Sequence, residues 1–218
     1  MPAPPAIEVI VNAGAGAGRR ADVQQRIADA FRAKGAEARV SLAGDGKEIL
    51  TLAARAARGD AGCVVAAGGD GTISAVASAI VGADKALGVL PSGTMNHFAK
   101  DLKIPLDFDD AIETIAAGHV TRVDVGEVNG RIFVNNSGLG LYPRIIRERE
   151  RQQRLGWGKW PAYAWAALAL LRRYPFLEVR LSAGGTDIAL RTPFVFVGNN
   201  EYHMEQLDVG PGPLRTDD

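Results

Sequence analysis

Apolar residues along the chain fall into short continuous runs separated by longer stretches with helical spacing. Ile7 to Val11, Ala38 to Leu42, Cys63 to Ala67 and Ala86 to Leu90 each read as a buried strand. Between the first two, Val23, Ile27 and Phe31 recur at the period of a helix that Gly35 stops. Asp45-x-x-Glu48 resembles a capping box and opens a helix through Arg58, with Ile49, Leu52, Ala53 and Ala56 on its inner face. A third helical run spans Ile73 to Ile80, and Asp110-x-x-Glu113 starts a fourth that Gly118 closes. Strands alternating with helices at this spacing predict a parallel sheet with right-handed crossovers. From Val120 the pattern changes. Val120 to Val128, the turn Asn129-Gly130 and Arg131 to Asn135 read as a hairpin. Further extended runs follow at Leu177 to Leu181, Ile188 to Leu190 and Phe194 to Val197, with Gly184-Gly185 as another turn. The predicted fold class is α/β: a three-layer parallel-sheet domain over residues 1–122, then a mostly antiparallel β domain over 123–218.

Composition narrows the class. A chain of 218 residues with 47% hydrophobic content can bury a substantial core. Twenty-five basic and twenty-five acidic residues cancel, so no global field draws the protein to nucleic acid, and no nucleic-acid partner is expected. The single Cys63 sits in an apolar strand, cannot form an internal disulfide and suits a reducing compartment. Met1 to Ala6 lacks the charged-then-apolar pattern of a signal peptide, and the longest apolar segment, Pro161 to Leu171, is about half of the roughly 20 residues a bilayer span needs. The expectation is a cytoplasmic protein that does not cross the membrane.

The loops after the strands carry the chemistry. Ala66-Ala67-Gly68-Gly69-Asp70-Gly71-Thr72 puts a carboxylate in a tight glycine turn between a strand and a helix. Glycines let the backbone approach a ligand closely, and the helix start favours an anion, so phosphate is the natural guest. An Asp among phosphate-facing amides makes sense when it holds a metal ion or accepts a proton; the plain structural alternative is a helix cap. The loop after the first strand, Asn12 to Arg20, contains Gly14, Gly16 and Gly18, yet matches neither the Gly-x-Gly-x-x-Gly dinucleotide fingerprint nor a Walker loop. The loop after the fourth strand is Pro91-Ser92-Gly93-Thr94. In a parallel sheet ligands lie beyond the carboxyl ends of the strands, and all three loops open at that edge, which points to a phosphate or nucleotide site. Thr94 and Asn96, at a helix start, are candidates to hydrogen-bond phosphate or a base edge. His97, far in sequence from His119 and His203, reads as a helix-start hydrogen-bonding residue rather than a metal ligand.

Between Tyr142 and Tyr174 lies a different surface. From Arg144 to Arg173 there are eight basic residues against Glu148 and Glu150, and Trp157, Trp160, Trp165 and Tyr163 fall among them. Aromatic and basic residues together suit an anionic membrane surface. An amphipathic helix, about residues 144–174, that packs its aromatics on the second sheet is the structural alternative.

Gly68-Gly69-Asp70-Gly71-Thr72 followed by Pro91-Ser92-Gly93-Thr94-Met95-Asn96-His97-Phe98-Ala99-Lys100-Asp101-Leu102 resembles the catalytic domain of the diacylglycerol kinase family, in particular the bacterial soluble lipid kinases. That family shares its glycine turn with sphingosine kinases and, more distantly, with NAD kinases. The resemblance implies an ATP-dependent lipid kinase that uses Mg²⁺, with Asp70 catalytic and Asp70 and Asp124 in the metal network. It places Asn12, Gly14, Gly16, Gly68, Gly69, Gly71, Thr72, Gly93, Thr94 and Asn96 at the nucleotide. Asn135 and Asn136, beside Gly138 and Gly140, line up with the family's asparagine and glycine-rich turn facing the cleft. A lipid substrate would be met at a peripheral membrane surface through Arg144 to Arg173, at the inner membrane face.

The chain also departs from the pattern. Ala13 replaces the proline that usually follows the first asparagine, Ser74-Ala75 stand where many relatives have Asn-Glu, and Pro143 replaces an acidic residue. Relatives continue by some tens of residues beyond the equivalent of Val197-Gly198-Asn199-Asn200, completing the second sheet and supplying a carboxylate proposed as base. The expectation is therefore a fragment or a shortened relative with open sheet edges, for which a homodimer is one outcome. A nucleotide- or lipid-binding remnant without turnover, and phosphorylation of a soluble dinucleotide, stand as the alternatives to lipid kinase activity.

Overall fold

The computed structural model describes residues 7–15, 20–140 and 176–199. Four strands, β1 (Ile7–Asn12), β2 (Ala38–Ala43), β3 (Cys63–Gly68) and β4 (Ala86–Pro91), form one parallel sheet in the order β2-β1-β3-β4. Helices α1 (Arg20–Ala33), α2 (Gly46–Arg58) and α3 (Asp70–Ile80) connect them, and α4 (His97–Asp101) and α5 (Phe108–Ala116) follow.

The alternation of the strands sorts the core into two layers. Val9, Val11, Val65, Ala67 and Leu90 face Ile27 and Phe31 of α1 and Ala111 and Ile112 of α5. Their neighbours Ile10, Val64, Ala66 and Val89 face Ile49, Ala53 and Ala56 of α2 and Ile73, Val76 and Ile80 of α3. Both faces of the sheet are covered, which is why its strands read as continuous apolar runs. The helix α1 serves the step from β1 outward to β2, while α2 and α3 serve steps in the other direction. A uniform crossover hand requires α1 to lie opposite those two, as it does. Cys63 is a free thiol, and burial pushes its pKa up to about 11, so it behaves as a small apolar side chain at neutral pH.

Helix starts follow local chemistry. Asp45 accepts the amides of Lys47 and Glu48 at 2.8 and 2.9 Å, and Glu48 reaches back to the amide of Gly44 at 2.7 Å. The start expected at Asp110 is displaced: Asp107 caps α5, accepting from the amides of Asp109 and Asp110. An Asp three residues upstream took the cap because Phe108 and Ala111 then both face the α1 layer.

After α5 the described strands pair antiparallel. The hairpin β5 (Gly126–Val128) and β6 (Arg131–Phe133) turns at Asn129-Gly130, where both residues have positive φ, at 50° and 73°. It is shorter than expected, since residues 120–125 are not strand, and Val120, Val123 and Val125 are exposed. The segment expected as a glycine-rich turn is instead strand β7 (Asn136–Gly140), paired with β10 (Phe194–Gly198); β8 (Leu177–Ala183) and β9 (Thr186–Thr192) form another pair. The family resemblance implied a turn around Gly138 and Gly140, but the cross-strand hydrogen bonds to β10 decide the conformation. Val134, fully buried in the α2 and α3 layer, and Ser78, whose hydroxyl reaches the carbonyl of Ile132 at 3.3 Å, join this part to α3.

Candidate functional site

The sheet order has a switch point between β1 and β3: the chain leaves β1 toward β2 and leaves β3 toward β4, opening a crevice at their carboxyl ends. The described glycine-loop residues meet there. Asn12, ending β1, donates its Nδ2 to the hydroxyl of Thr72 at 3.1 Å, and its Oδ1 accepts the amide of Gly14 at 3.1 Å. The amide of Ser92 donates to the carbonyl of Gly68 at 3.0 Å. Gly69 and Gly93 touch backbone to backbone: a Cβ on Gly93 would lie 2.5 Å from the Cα of Gly69. No other residue permits that approach. Gly71 is exposed with open space around its Cα, and Gly14 and Thr94 are also exposed. Gly16 lies outside the described residues, as does the segment from Arg144 to Arg173.

Thr72 is 4% exposed, so its hydroxyl is a buried peg that holds the first loop against α3. Thr72→Val keeps the shape and removes the acceptor. We expect a loss of about 1 kcal/mol, read as a lower urea midpoint at constant slope, with Thr72→Ser restoring most of it.

Asp70 is the first residue of α3, half-buried, and its carboxylate is the centre of the arrangement. Oδ1 accepts the amide of Phe98 at 3.1 Å and the Nδ2 of Asn135 at 3.1 Å; Oδ2 accepts the amide of His97 at 3.2 Å. Desolvation pushes this carboxyl up, but the Phe98 and His97 amides and Asn135 outweigh it, and the pKa ends below the ordinary value. Such a carboxylate is ionised at neutral pH and is a poor proton acceptor, since a general base works best with a pKa near the operating pH. Among the described residues, three of its four lone-pair directions are filled, and Oδ2 retains one.

Two of the candidates are engaged in hydrogen bonds within the protein. Asn96 adopts the left-handed conformation, with φ 50° and ψ 44°, and is 8% exposed. Its Oδ1 accepts the Gly93 amide and its Nδ2 donates to the Gly93 carbonyl, both at 2.9 Å, so its side chain clasps the loop and leaves Thr94 and Met95 as its exposed tip. His97 does make a helix-start hydrogen bond, but through its backbone amide, and its residue is otherwise exposed. Asp124 is exposed, and its backbone carbonyl accepts the Nδ2 of Asn199 at 2.7 Å. Among the described residues no cluster of three or more His, Cys, Asp or Glu side chains could hold a metal ion.

Two asparagines complete this network: the resemblance placed Asn135 only as facing the cleft, without a link to Asp70, and Asn199 carries no candidate role in the sequence reading. Asn135 contacts Asp70 directly across 65 residues of chain. Asn199 donates its amide to the Asn135 carbonyl at 2.8 Å and its Nδ2 to the carbonyls of Asp124 and Val134. The available signal was positional: each asparagine stands just beyond an apolar strand, Arg131–Phe133 and Phe194–Gly198.

Comparisons with known proteins point to one family. Residues 6–128 match the diacylglycerol kinase catalytic domain family. The chain is 39% identical over 105 residues to a diacylglycerol kinase of Staphylococcus saprophyticus, covering 46% of this chain and 34% of that one. It is 32% identical over 150 residues to a diacylglycerol kinase of Staphylococcus aureus, covering 66% of this chain and 47% of that one. The chain thus spans about a third to a half of the length of these relatives. A crystal structure of a diacylglycerol kinase from Bacillus anthracis is similar in fold, with a TM-score of 0.65 at 24% identity, over 90% of this chain and 64% of that chain. Another structure from the same organism has a TM-score of 0.67 at 26% identity, over 90% of this chain and 66% of that one. With its own switch-point crevice and a family match over more than half its length, this chain belongs to the diacylglycerol kinase catalytic domain family.

Proposed function

We propose that the chain carries the nucleotide site of an ATP-dependent lipid kinase that transfers the γ-phosphate to a hydroxyl of a diacylglycerol-like lipid. The observation that supports this most is the meeting of the loops after β1, β3 and β4 around one ionised carboxylate at the switch point. The triphosphate lies along these loops. The amide-rich start of α3 and the close backbones of Gly69 and Gly93 face its oxygens, and Thr94 and Met95 border the nucleotide. Residues from about 123 onward form the lipid side. The lipid hydroxyl oxygen bonds to the γ-phosphorus as the bond to the β-phosphate oxygen breaks, and ADP leaves; positioning and charge neutralisation supply most of the acceleration.

The residues suit Mg²⁺. Asp70 stays ionised with one open Oδ2 direction, Asp124 presents an exposed carboxylate, and hard oxygen donors are what that ion selects. Bound there, Mg²⁺ supplies neutralisation of phosphate charge. Asp70's own part is to hold its charge at a fixed point, which its three donors achieve.

Among the described residues no helix is long and apolar enough to cross a membrane. We place lipid contact at the Arg144 to Arg173 segment, at the membrane surface. The test is transfer of labelled γ-phosphate from ATP and Mg²⁺ into mixed micelles of diacylglycerol, alongside flotation with anionic vesicles. Labelled lipid, with salt-sensitive flotation weakened by charge reversal at Arg147, Arg151 and Arg154, is the expected result. A folded, ATP-binding chain that labels no lipid would instead support a binding module without turnover.

A further inference from the structure

The carboxylate of Asp70 is treated almost symmetrically by the α4 start: the Phe98 amide donates to Oδ1 and the His97 amide to Oδ2. With these two bonds alone, each oxygen would keep one open lone pair, and nothing would distinguish them. Asn135 breaks the symmetry by filling the second site on Oδ1.

That residue is held at some expense. It is 8% exposed, and its Oδ1 is buried with no hydrogen-bond partner among the described residues. An orphaned buried acceptor forfeits the hydrogen bonds it would make to water and gains none in return. The amide cannot turn over to relieve it, because its oxygen would then meet the carboxylate. An apolar side chain, as at neighbouring Val134, would pack here without that cost. The amide is therefore retained for what its Nδ2 does to Asp70. Its backbone is fixed in turn by Asn199, which also grips Asp124 and Val134.

We propose that Asn135 is a positioning residue: by occupying Oδ1 of Asp70 it leaves the open direction on Oδ2 as the place on that carboxylate where the site's cation can be met. The proposal rests on the kinase reading above and deepens it, by assigning the orientation of the cation-facing oxygen to a residue from the far side of the chain.

The test uses Mn²⁺ as the probe, read by its electron paramagnetic resonance in the presence of ATP, together with thermal unfolding and labelled phosphate transfer. Four forms of the 218-residue chain are compared: wild type, Asn135→Leu, Asp70→Asn and the double variant. Asn135→Leu should weaken Mn²⁺ binding by about tenfold and slow transfer by roughly 10–100-fold. Its melting temperature should not fall, because the orphaned oxygen leaves with the bond. In the Asp70→Asn background the leucine substitution should add nothing, since it acts only through that carboxylate. A structural role predicts the opposite pattern: a lowered melting temperature and losses that add in the double variant. That pattern, or unchanged Mn²⁺ affinity in a folded Asn135→Leu chain, overturns the proposal. Should the leucine chain not fold, Asn135→Ala decides by the same affinity comparison. A wild type that binds no Mn²⁺ also overturns it. A wild type that binds Mn²⁺ with these variant effects, yet transfers no phosphate, upholds the positioning role while the kinase reading fails.

Discussion

On the proposed lipid kinase activity, Asp70→Asn should transfer labelled phosphate to lipid roughly a hundredfold to ten-thousandfold more slowly than the wild type, an effect of several kcal/mol at about 1.4 kcal/mol per factor of ten. The reason lies in charge rather than shape. Asparagine fills the same space, but it carries no negative charge toward a cation. Its amide nitrogen also cannot accept from the backbone N–H that the lost oxygen served, at His97 or Phe98. The variant's stability should carry a matching pH signature. The Asp70 carboxyl has a folded-state pKa below its ordinary value, so its stabilisation is fully present above the ordinary value of about 3.9 and is lost as pH falls through the lowered one. The difference in melting temperature between wild type and variant should therefore be largest near neutral pH and shrink below about pH 4. A difference that grows toward acid would show that the carboxylate is not held ionised by its three donors.

Gly93→Ala should be among the most damaging single-methyl changes at the site. Its Cβ would stand 2.5 Å from the Cα of Gly69 and 2.9 Å from the Oδ1 of Asn96, and the first of these is backbone that cannot swing aside. The two loops must part, at a cost of about 1–3 kcal/mol in the urea midpoint. The parting also moves Asn96, and with it the α4 amides that hold Asp70. A displacement near 1 Å can slow transfer by about a hundredfold. Gly71→Ala is the stability control, since nothing lies within 4 Å of the added methyl. If Gly93→Ala melts like the wild type, the close contact of the loops is not a requirement of the fold.

The parallel layer was legible because its signals are local and periodic. Apolar runs marked β1 to β4 to within one residue at their ends, and Asp45 and Glu48 announced α2. Asn129-Gly130 named its own turn, since few other pairs tolerate two positive φ values. The antiparallel part was legible only in outline. The glycines in β7 suppress strand propensity, and pairing with β10, more than 50 residues later, overrides that local preference. The first strand of the hairpin was overextended because Val120, Val123 and Val125 look like strand residues but lack a partner strand.

For the site, sequence spacing and loop composition alone determined that loops after three strands would share one edge of a parallel sheet, with Asp70 among them. Those are consequences of period, connection length and handedness. Tertiary structure decided what each side chain does there. It directs the amide of Asn96 into its own loop, puts the His97 backbone rather than its imidazole on Asp70, and brings Asn135 to the carboxylate from 65 residues away. Hydrogen bonds depend on approach within about 3 Å, and a chain that folds back on itself sets such distances only when the sheet, the helices and the second set of strands have packed.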